Sequence, residues 1–205
     1  MFFENITNID FLVLGIAIAA NLVLGVIVFF QDSKNVTNTL FFLQTVILSI
    51  WSVLNYLAYS ITDLKIALWV IRLVMFFAVP NSIVFLFLMH TFPNRSFQMQ
   101  RKAILTLITL GFIAMIVALS PLLFSEVKMV PGVITPQPVV GIGMIIFIPI
   151  AVLSIPLGIY FLVKRYLRAK NIEKLQLRHL LVGVIVMFSL ILIFNFILPA
   201  FFENT

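Results

Sequence analysis

Six long apolar stretches, separated by short polar segments, limit the folds open to this chain more than any other feature. They lie near residues 9–30, 39–60, 66–92, 103–124, 139–163 and 180–202. The hydrocarbon core of a bilayer is about 30 Å thick, which takes about 20 helical residues to cross. The stretches do not alternate in polarity as barrel strands do, and an isolated strand would leave its backbone groups unpaired in lipid. The sequence therefore predicts an all-α membrane protein, a bundle of six transmembrane helices forming one domain over residues 1–205.

The amino-acid composition agrees with a chain that uses lipid as its solvent. Hydrophobic residues make up 63% of the 205 residues and charged residues only 10%. Soluble domains are about half apolar and a quarter charged. A soluble fold of this length would be left with a largely apolar surface. We therefore expect a multi-pass protein of the cell membrane, with the lipid bilayer as its first partner.

The basic residues are concentrated in alternate loops. Segments 31–38, 93–102 and 164–178 together hold ten of the thirteen lysines and arginines. Cytoplasmic loops carry an excess of such residues, so the N terminus is predicted outside and the first, third and fifth loops in the cytoplasm. Membrane orientation thus accounts for the formal net charge of +6. It gives no reason to expect a nucleic-acid partner.

The residue types that carry catalysis or bind metals are scarce. The chain has no cysteine and two histidines, and each Asp and Glu falls at or outside a predicted helix end. No buried carboxylate pair is available for general acid–base work, and no HExxH, GxSxG or P-loop motif occurs. The sequence therefore predicts no catalytic residue, no metal site and no cofactor.

Arg72 is the most costly residue inside a predicted helix. It lies about 9 Å from the outer end of the third helix, and a charge deep in hydrocarbon costs about 2.5–3.5 kcal/mol even on permissive scales. One interpretation is that its long side chain extends to the headgroups. The other is that it faces an outward-open pocket and binds a carboxylate, phosphate or carbonyl group.

Several further polar or aromatic residues fall in the same outer half of the predicted bundle. In the second helix Gln44, Trp51 and Asn55 share one face, since their spacing follows the helical repeat. Such amides bind neighbouring helices or line a pocket for a small ligand. The predicted ligand-binding residues are Trp51, Asn55, Tyr59, Arg72, Ser120 and Asn195.

Prolines interrupt the predicted helices. Pro80 lies in the third helix, and Pro149 and Pro156 lie in the fifth. Each removes a backbone hydrogen bond and bends a helix, so all three are candidate hinges. A bend that only adjusts packing is the alternative.

Four local patterns together give the chain a family resemblance. The first is the run 21–29, and the second is Asn38 followed by Phe41 and Trp51. The third runs from Arg72 through Pro80 to His90-Thr91-Phe92-Pro93, and the last is the basic stretch 164–170 leading into 176–183. With these patterns the chain resembles the N-terminal seven-transmembrane sensory region of bacterial and archaeal histidine kinases.

The resemblance implies a sensory module in a two-component system. Such a module detects a small molecule or a state of the lipid and drives a cytoplasmic kinase or other output domain, and homodimerisation is implied with it. It also implies a seventh helix. Six predicted crossings would leave the C terminus outside, so we expect a sensor shortened before its seventh helix and output domain, or else a six-helix relative.

Two other classes of function are open to a bundle of this kind. A small multi-pass transporter or channel could use the same proline-containing helices, although the two halves of the sequence show no repeat. A membrane enzyme acting on lipid would need carboxylates or histidines that converge at one interface. Around His90 the sequence offers Arg95 but no acid. The sensory function is therefore the leading prediction.

Overall fold

The computed structural model describes residues 8–97, 99–129 and 136–192, most of them helical. In chain order the elements are α1 (Asn8–Gln31), α2 (Val36–Ser60), α3 (Leu64–Thr91), α4 (Arg101–Leu119), β1 (Phe124–Lys128), β2 (Gln137–Val140), α5 (Met144–Ala151), α6 (Ser154–Arg168) and α7 (Asn171–Leu192). Within these residues five stretches are long and apolar enough to cross a membrane: Phe11–Gln31, Val36–Ser60, Leu64–Thr91, Arg101–Leu119 and Met144–Arg168. The prediction of a mainly helical membrane protein is confirmed. The sixth predicted span, 180–202, lies partly outside the described residues.

Side-chain caps begin the second and third helices. Asn35 Oδ1 accepts a hydrogen bond of 3.0 Å from the backbone N–H of Thr37. Asp63 Oδ1 accepts from the N–H groups of Lys65 and Ile66, both at 2.9 Å. These caps satisfy N–H groups that have no partner within the helix, and so allow the connections before α2 and α3 to be short.

Helix α3 is the centre of the helical packing. In α3 56% of the most apolar stretch is buried inside the protein, against 6% in α1. It packs against α2, α4, α5 and β1. Large apolar side chains on α1 remain exposed, with Phe11 at 65% and Phe30 at 77%. An exposed apolar surface of this kind suits contact with lipid and not with water.

A β-hairpin lies between the fourth and fifth predicted helices and includes the last residue of one and the first two residues of the other. Strands β1 and β2 are antiparallel, with Val127 opposite Pro138 and Lys128 opposite Gln137. The helix predicted over 103–124 ends at Leu119, and the one predicted over 139–163 begins at Met144. The fourth helix ends at Leu119 because Pro121 disfavours helical backbone at the residue before it. Ser120 is accordingly extended, with φ −90° and ψ 161°.

The hairpin joins the start of α5 through a close backbone approach. The N–H of Gly141 donates to the carbonyl oxygen of Leu123 at 2.8 Å. A Cβ at position 141 would stand 2.2 Å from the carbonyl oxygen of Leu122, a backbone atom that cannot swing aside. Only glycine fits this junction without displacing the chain.

The fifth membrane span is helical in two segments that meet at Val152–Leu153. Pro149 lies inside α5, and the N–H of Leu153 donates across a wider turn to Ile148 O at 3.4 Å. Ser154 Oγ donates to Ile150 O at 2.5 Å. Pro156 lies in the first turn of α6. Helix α3, by contrast, runs through Pro80 without a break.

The basic segment 164–178, predicted as a loop, is almost wholly helical. Helix α6 continues to Arg168 and α7 begins at Asn171, so only Ala169 and Lys170 lie between them. Asn171 has φ 51°, the left-handed conformation that asparagine tolerates better than most residues. The helix in this segment was not predicted, because a hydropathy pattern identifies only the apolar part of a helix and these residues are largely charged or polar.

The chain divides into two compact units, residues 1–158 and residues 159–205. The first contains α1 to α5 and the hairpin. The second contains most of α6 and all of α7.

Candidate functional site

A cavity of about 210 Å³ lies in the first unit, where α2, α3 and the segment leading into β2 meet. Helix α2 contributes one turn near its C-terminal end and α3 contributes part of its N-terminal half. Proline-rich chain at the start of β2 supplies the third wall. The lining residues are Asn55, Ala58, Tyr59, Ile71, Val74, Met75, Pro136, Gln137 and Pro138.

The polar groups in the cavity wall are few and uncharged. Asn55 Nδ2 donates a hydrogen bond of 2.8 Å to the carbonyl oxygen of Trp51, one turn earlier in α2. This bond fixes the orientation of the amide, because the reverse placement would set two acceptors against each other. Asn55 therefore retains its Oδ1 acceptor and one Nδ2 hydrogen for a ligand. Tyr59 is 72% exposed at the cavity, and Gln137 is exposed as well.

Trp51 does not line the cavity but lies one helical turn before Asn55. Its indole Nε1 is buried and has no hydrogen-bond partner in the part of the chain that the structure describes. A buried N–H without a partner costs about 1–3 kcal/mol. This turn of α2 therefore carries an unused donor as well as the acceptor on Asn55.

Arg72 follows Ile71 of the cavity wall, but its side chain binds elsewhere. It is 5% exposed, and its Nη2 donates a hydrogen bond of 2.6 Å to the carbonyl oxygen of Phe124 at the start of β1. Its guanidinium carbon lies 5.2 Å from the centroid of the Trp69 ring, within the range of a cation–π interaction. The side chain thus neither reaches the protein surface nor lines the cavity. It holds the hairpin onto α3.

The last two predicted residues are not part of the cavity. Ser120 ends α4, where its Oγ donates to Val117 O at 2.8 Å and accepts from Leu122 N at 3.2 Å. Both bonds serve the turn that leads into the hairpin. Asn195 lies outside the described residues. Of the six predicted residues, the structure brings Asn55 and Tyr59 together in one cavity.

Other amides in the membrane-spanning helices bind neighbouring helices. Gln44 Nε2 donates to Asn81 Oδ1 at 2.6 Å, which joins α2 to α3. Asn21 Nδ2 donates to Thr45 O at 3.1 Å and to Ser49 Oγ at 3.3 Å, which joins α1 to α2. These amides act as interhelical contacts, one of the two roles weighed from the sequence.

The cavity residues that the sequence did not reveal are mainly apolar. Ile71, Val74 and Met75 follow the spacing of one helical face, a signal shared by every core position. The third wall has a polar residue, Gln137, between Pro136 and Pro138, a pattern that carries no signal for a ligand site. No group of three or more potential metal ligands occurs among the residues that the structure describes.

The family is decided by a comparison over nearly the full chain. The family model described as the N-terminal 7TM region of histidine kinase matches residues 13–204. The chain belongs to this family. The resemblance identified from the sequence is thereby confirmed, and so is the assignment to a multi-pass membrane protein. No curated protein and no solved structure matches the chain significantly.

Membership of this family agrees with the helices that the structure shows. A histidine kinase 7TM region is a sensory membrane module, and the five apolar helices found among the described residues agree with that. The family match names no ligand.

Proposed function

We propose that this 7TM-type sensory region binds a small neutral molecule in the cavity between α2, α3 and β2, and that binding is passed through the hairpin to the other helices. The observation that carries the proposal is the composition of the cavity wall. Two transmembrane helices form one side of it, and the first residues of β2, Gln137 and Pro138, form the other. A molecule bound there contacts both parts at once.

The chemistry of the wall defines the class of ligand. Among the residues that the structure describes, no Asp, Glu, Lys or Arg lines the cavity, and Arg72 Nη2 donates to Phe124 O. An ionic ligand would lose its hydration without gaining a partner of opposite charge. Ile71, Val74 and Met75 supply an apolar surface, while Asn55 Oδ1 supplies an acceptor. A compact apolar molecule with one hydroxyl or N–H donor matches this arrangement.

The hairpin provides the mechanical connection. Gln137 and Pro138 are paired with Lys128 and Val127 of β1, and β1 begins at Phe124, which Arg72 holds. A ligand that displaces β2 therefore acts on the Arg72 contact. The Gly141–Leu123 hydrogen bond carries the same displacement towards α5. Val152 and Leu153, beyond Pro149, are then the proposed hinge of the fifth span.

We further propose that the output is cytoplasmic. The excess of basic residues in segments 31–38, 93–102 and 164–178 supports placing those segments inside and the hairpin outside. The signal would then enter from the outer half of the membrane and act on a kinase domain inside, in a homodimer. The Arg95–Asp32 ion pair of 3.1 Å joins two of these segments at one end of the bundle, in agreement with a common side.

The experiment compares 2-phenylethanol with ethylbenzene, which differ by one hydroxyl, as probes for the chain in lipid nanodiscs. Ligand-detected NMR should show saturation transfer to the alcohol that Asn55→Leu reduces to the level of the hydrocarbon. Ala58→Leu should reduce both signals because it fills the cavity. Ala20→Leu, on an exposed face of α1, controls for probe dissolved in lipid. Equal signals from the wild type, Asn55→Leu and Ala58→Leu would exclude the cavity as the binding site.

A further inference from the structure

The helices on both sides of the α6–α7 turn carry more basic residues than their one acidic residue can neutralise. Between residues 159 and 192 the sequence has six basic residues and one acidic residue, Glu173. Glu173 is engaged by Arg165, whose Nε lies 3.1 Å from its Oε1. The other five are all exposed: Lys164, Arg168, Lys170, Lys174 and Arg178. These five residues are called the basic corner below.

Contacts across the turn hold the basic corner together. The Arg165–Glu173 ion pair links the last turns of α6 to the first turn of α7. The Lys174 Nζ lies 5.5 Å from the centroid of the Tyr166 ring, which makes a second link between the two helices. Asn171, with its left-handed backbone, and the short Ala169–Lys170 connection fix the turn itself. The positive charge is thus a feature of folded backbone and not of a loose loop.

Exposed apolar side chains lie directly among these charges. Leu167 is 72% exposed and Ile172 is 73% exposed, one on each side of the turn. Tyr160 is exposed too, with Lys164 Nζ at 5.5 Å from its ring centroid. Tyrosine is enriched where membrane meets water, and lysine side chains near helix ends extend towards the headgroups. Apolar, aromatic and basic groups together are what a headgroup region accommodates and water does not.

We propose that the basic corner is a binding site for anionic phospholipid headgroups. Leu167 and Ile172 would enter the acyl boundary, while the five exposed cations meet the phosphates above it. Clusters of four to eight Lys or Arg next to a transmembrane helix attract anionic lipid, with about a fivefold gain in association per residue. The activity of the sensory region would then depend on the anionic lipid content of the leaflet at this end of α6.

The test uses the whole chain in nanodiscs and spin-labelled phosphatidylglycerol or phosphatidylcholine as probes. Electron paramagnetic resonance gives the association of each lipid with the protein surface. The triple variant Arg168→Gln, Lys170→Gln and Arg178→Gln should lower the preference for phosphatidylglycerol by tenfold or more. The matched control Lys34→Gln, Arg101→Gln and Lys102→Gln removes the same charge from exposed residues elsewhere and should leave the preference almost unchanged. An equal loss in both triples, or a loss in neither, would overturn a localised site.

A second measurement retains every charge and does not depend on the triple variant folding. The chain has no cysteine, so Ile172→Cys gives a single site for an environment-sensitive fluorophore. The label should emit as in an apolar medium and be quenched by lipids brominated on their acyl chains. Emission typical of water, without such quenching, would place the corner in solvent and favour an acidic protein segment as its partner, which contradicts the proposal.

Discussion

The Nη2 of Arg72 donates a hydrogen bond of 2.6 Å to the carbonyl oxygen of Phe124, although the two residues are 52 positions apart in the chain. Phe124 is the first residue of β1 and is 2% exposed. A guanidinium in an apolar helix is costly unless it finds an acceptor, and the carbonyl oxygen of Phe124 is such an acceptor. The contact gives Nη2 an acceptor and joins the hairpin to α3, while the buried Nε of Arg72 has no partner among the residues that the structure describes.

Replacing Arg72 with Met should therefore destabilise the hairpin more than the helices. Met keeps much of the side-chain length but leaves the Phe124 carbonyl without its charged donor, at a cost of about 1.5–3 kcal/mol. Proteolysis or hydrogen exchange confined to residues 124–140 would report the local loss. The control is Arg101→Met, which removes an exposed cation at the start of α4. It should change neither the proteolysis nor the hydrogen exchange of the hairpin. Unchanged protection of residues 124–140 in Arg72→Met would show that the hydrogen bond does not hold the hairpin.

Replacing each of two glycines of α1 with alanine should change the stability of the protein in different directions. A Cβ on Gly25 would stand 2.2 Å from Thr45 Oγ1, and Thr45 is 3% exposed with that Oγ1 bound to Phe42 O at 2.7 Å. A Cβ on Gly15 would meet nothing within 4 Å. Gly25→Ala should cost about 1–3 kcal/mol through overpacking against α2, whereas Gly15→Ala should be neutral or stabilise by up to about 1 kcal/mol.

Unfolding of the two alanine variants by a denaturing detergent gives both free energies on one scale. The difference between them separates the close contact of α1 with α2 from the general effect of alanine in a helix. If Gly25→Ala were as stable as Gly15→Ala, the two helices would have to lie further apart than the structure places them.

The Gln44–Asn81 hydrogen bond predicts a measurable coupling between α2 and α3. Gln44→Leu and Asn81→Leu each remove one partner of a 2.6 Å contact, so their double variant should cost less than the sum of the singles. Hydrogen bonds between membrane helices contribute about 0.6 kcal/mol on average and up to about 1.7 kcal/mol. A double-mutant cycle gives this value directly. The pair Gln44 and Asn21 makes no contact that the structure records, and its cycle should give a coupling near zero.

The membrane-spanning helices were predictable because hydropathy is a local property. Each of the first three predicted spans matches an observed helix to within a few residues. Asn55 and Tyr59, both predicted in the outer half of the bundle, do line one cavity. The end of α4 was predictable in principle, since Pro121 stops a helix at the residue before it. The apolar run Leu122–Phe124 outweighed that signal, so the predicted helix was extended to Phe124, the first residue of β1.

The role of Arg72 could not be predicted from the sequence, for a different reason. Both interpretations open to it, extension to the headgroups and ligand binding, assumed that no protein acceptor lay within reach. That acceptor is a backbone carbonyl, and every residue type carries one. Its position depends on where the hairpin folds back, which neither hydropathy nor spacing specifies. The same limit applies to Gln137 and Pro138 in the cavity wall.

The prolines of the fifth span predict where its backbone is least protected. Pro149 and Pro156 bear no N–H, and around them Leu153 N reaches only Ile148 O, at 3.4 Å, while Ile155 N reaches Val152 O at 3.3 Å. Replacing both prolines with alanine restores two donors and should let residues 152–156 adopt regular helix. Hydrogen exchange by NMR in micelles should then slow at the amides of Leu153 and Ile155 by tenfold or more, a gain of about 1.4 kcal/mol in the opening free energy. Pro80→Ala is the matched control, because α3 runs through Pro80 unbroken and its neighbouring amides should exchange as before. Equal exchange at Leu153 and Ile155 with and without the prolines would mean that packing, and not the missing N–H groups, divides the span, and would remove the physical basis for a hinge there.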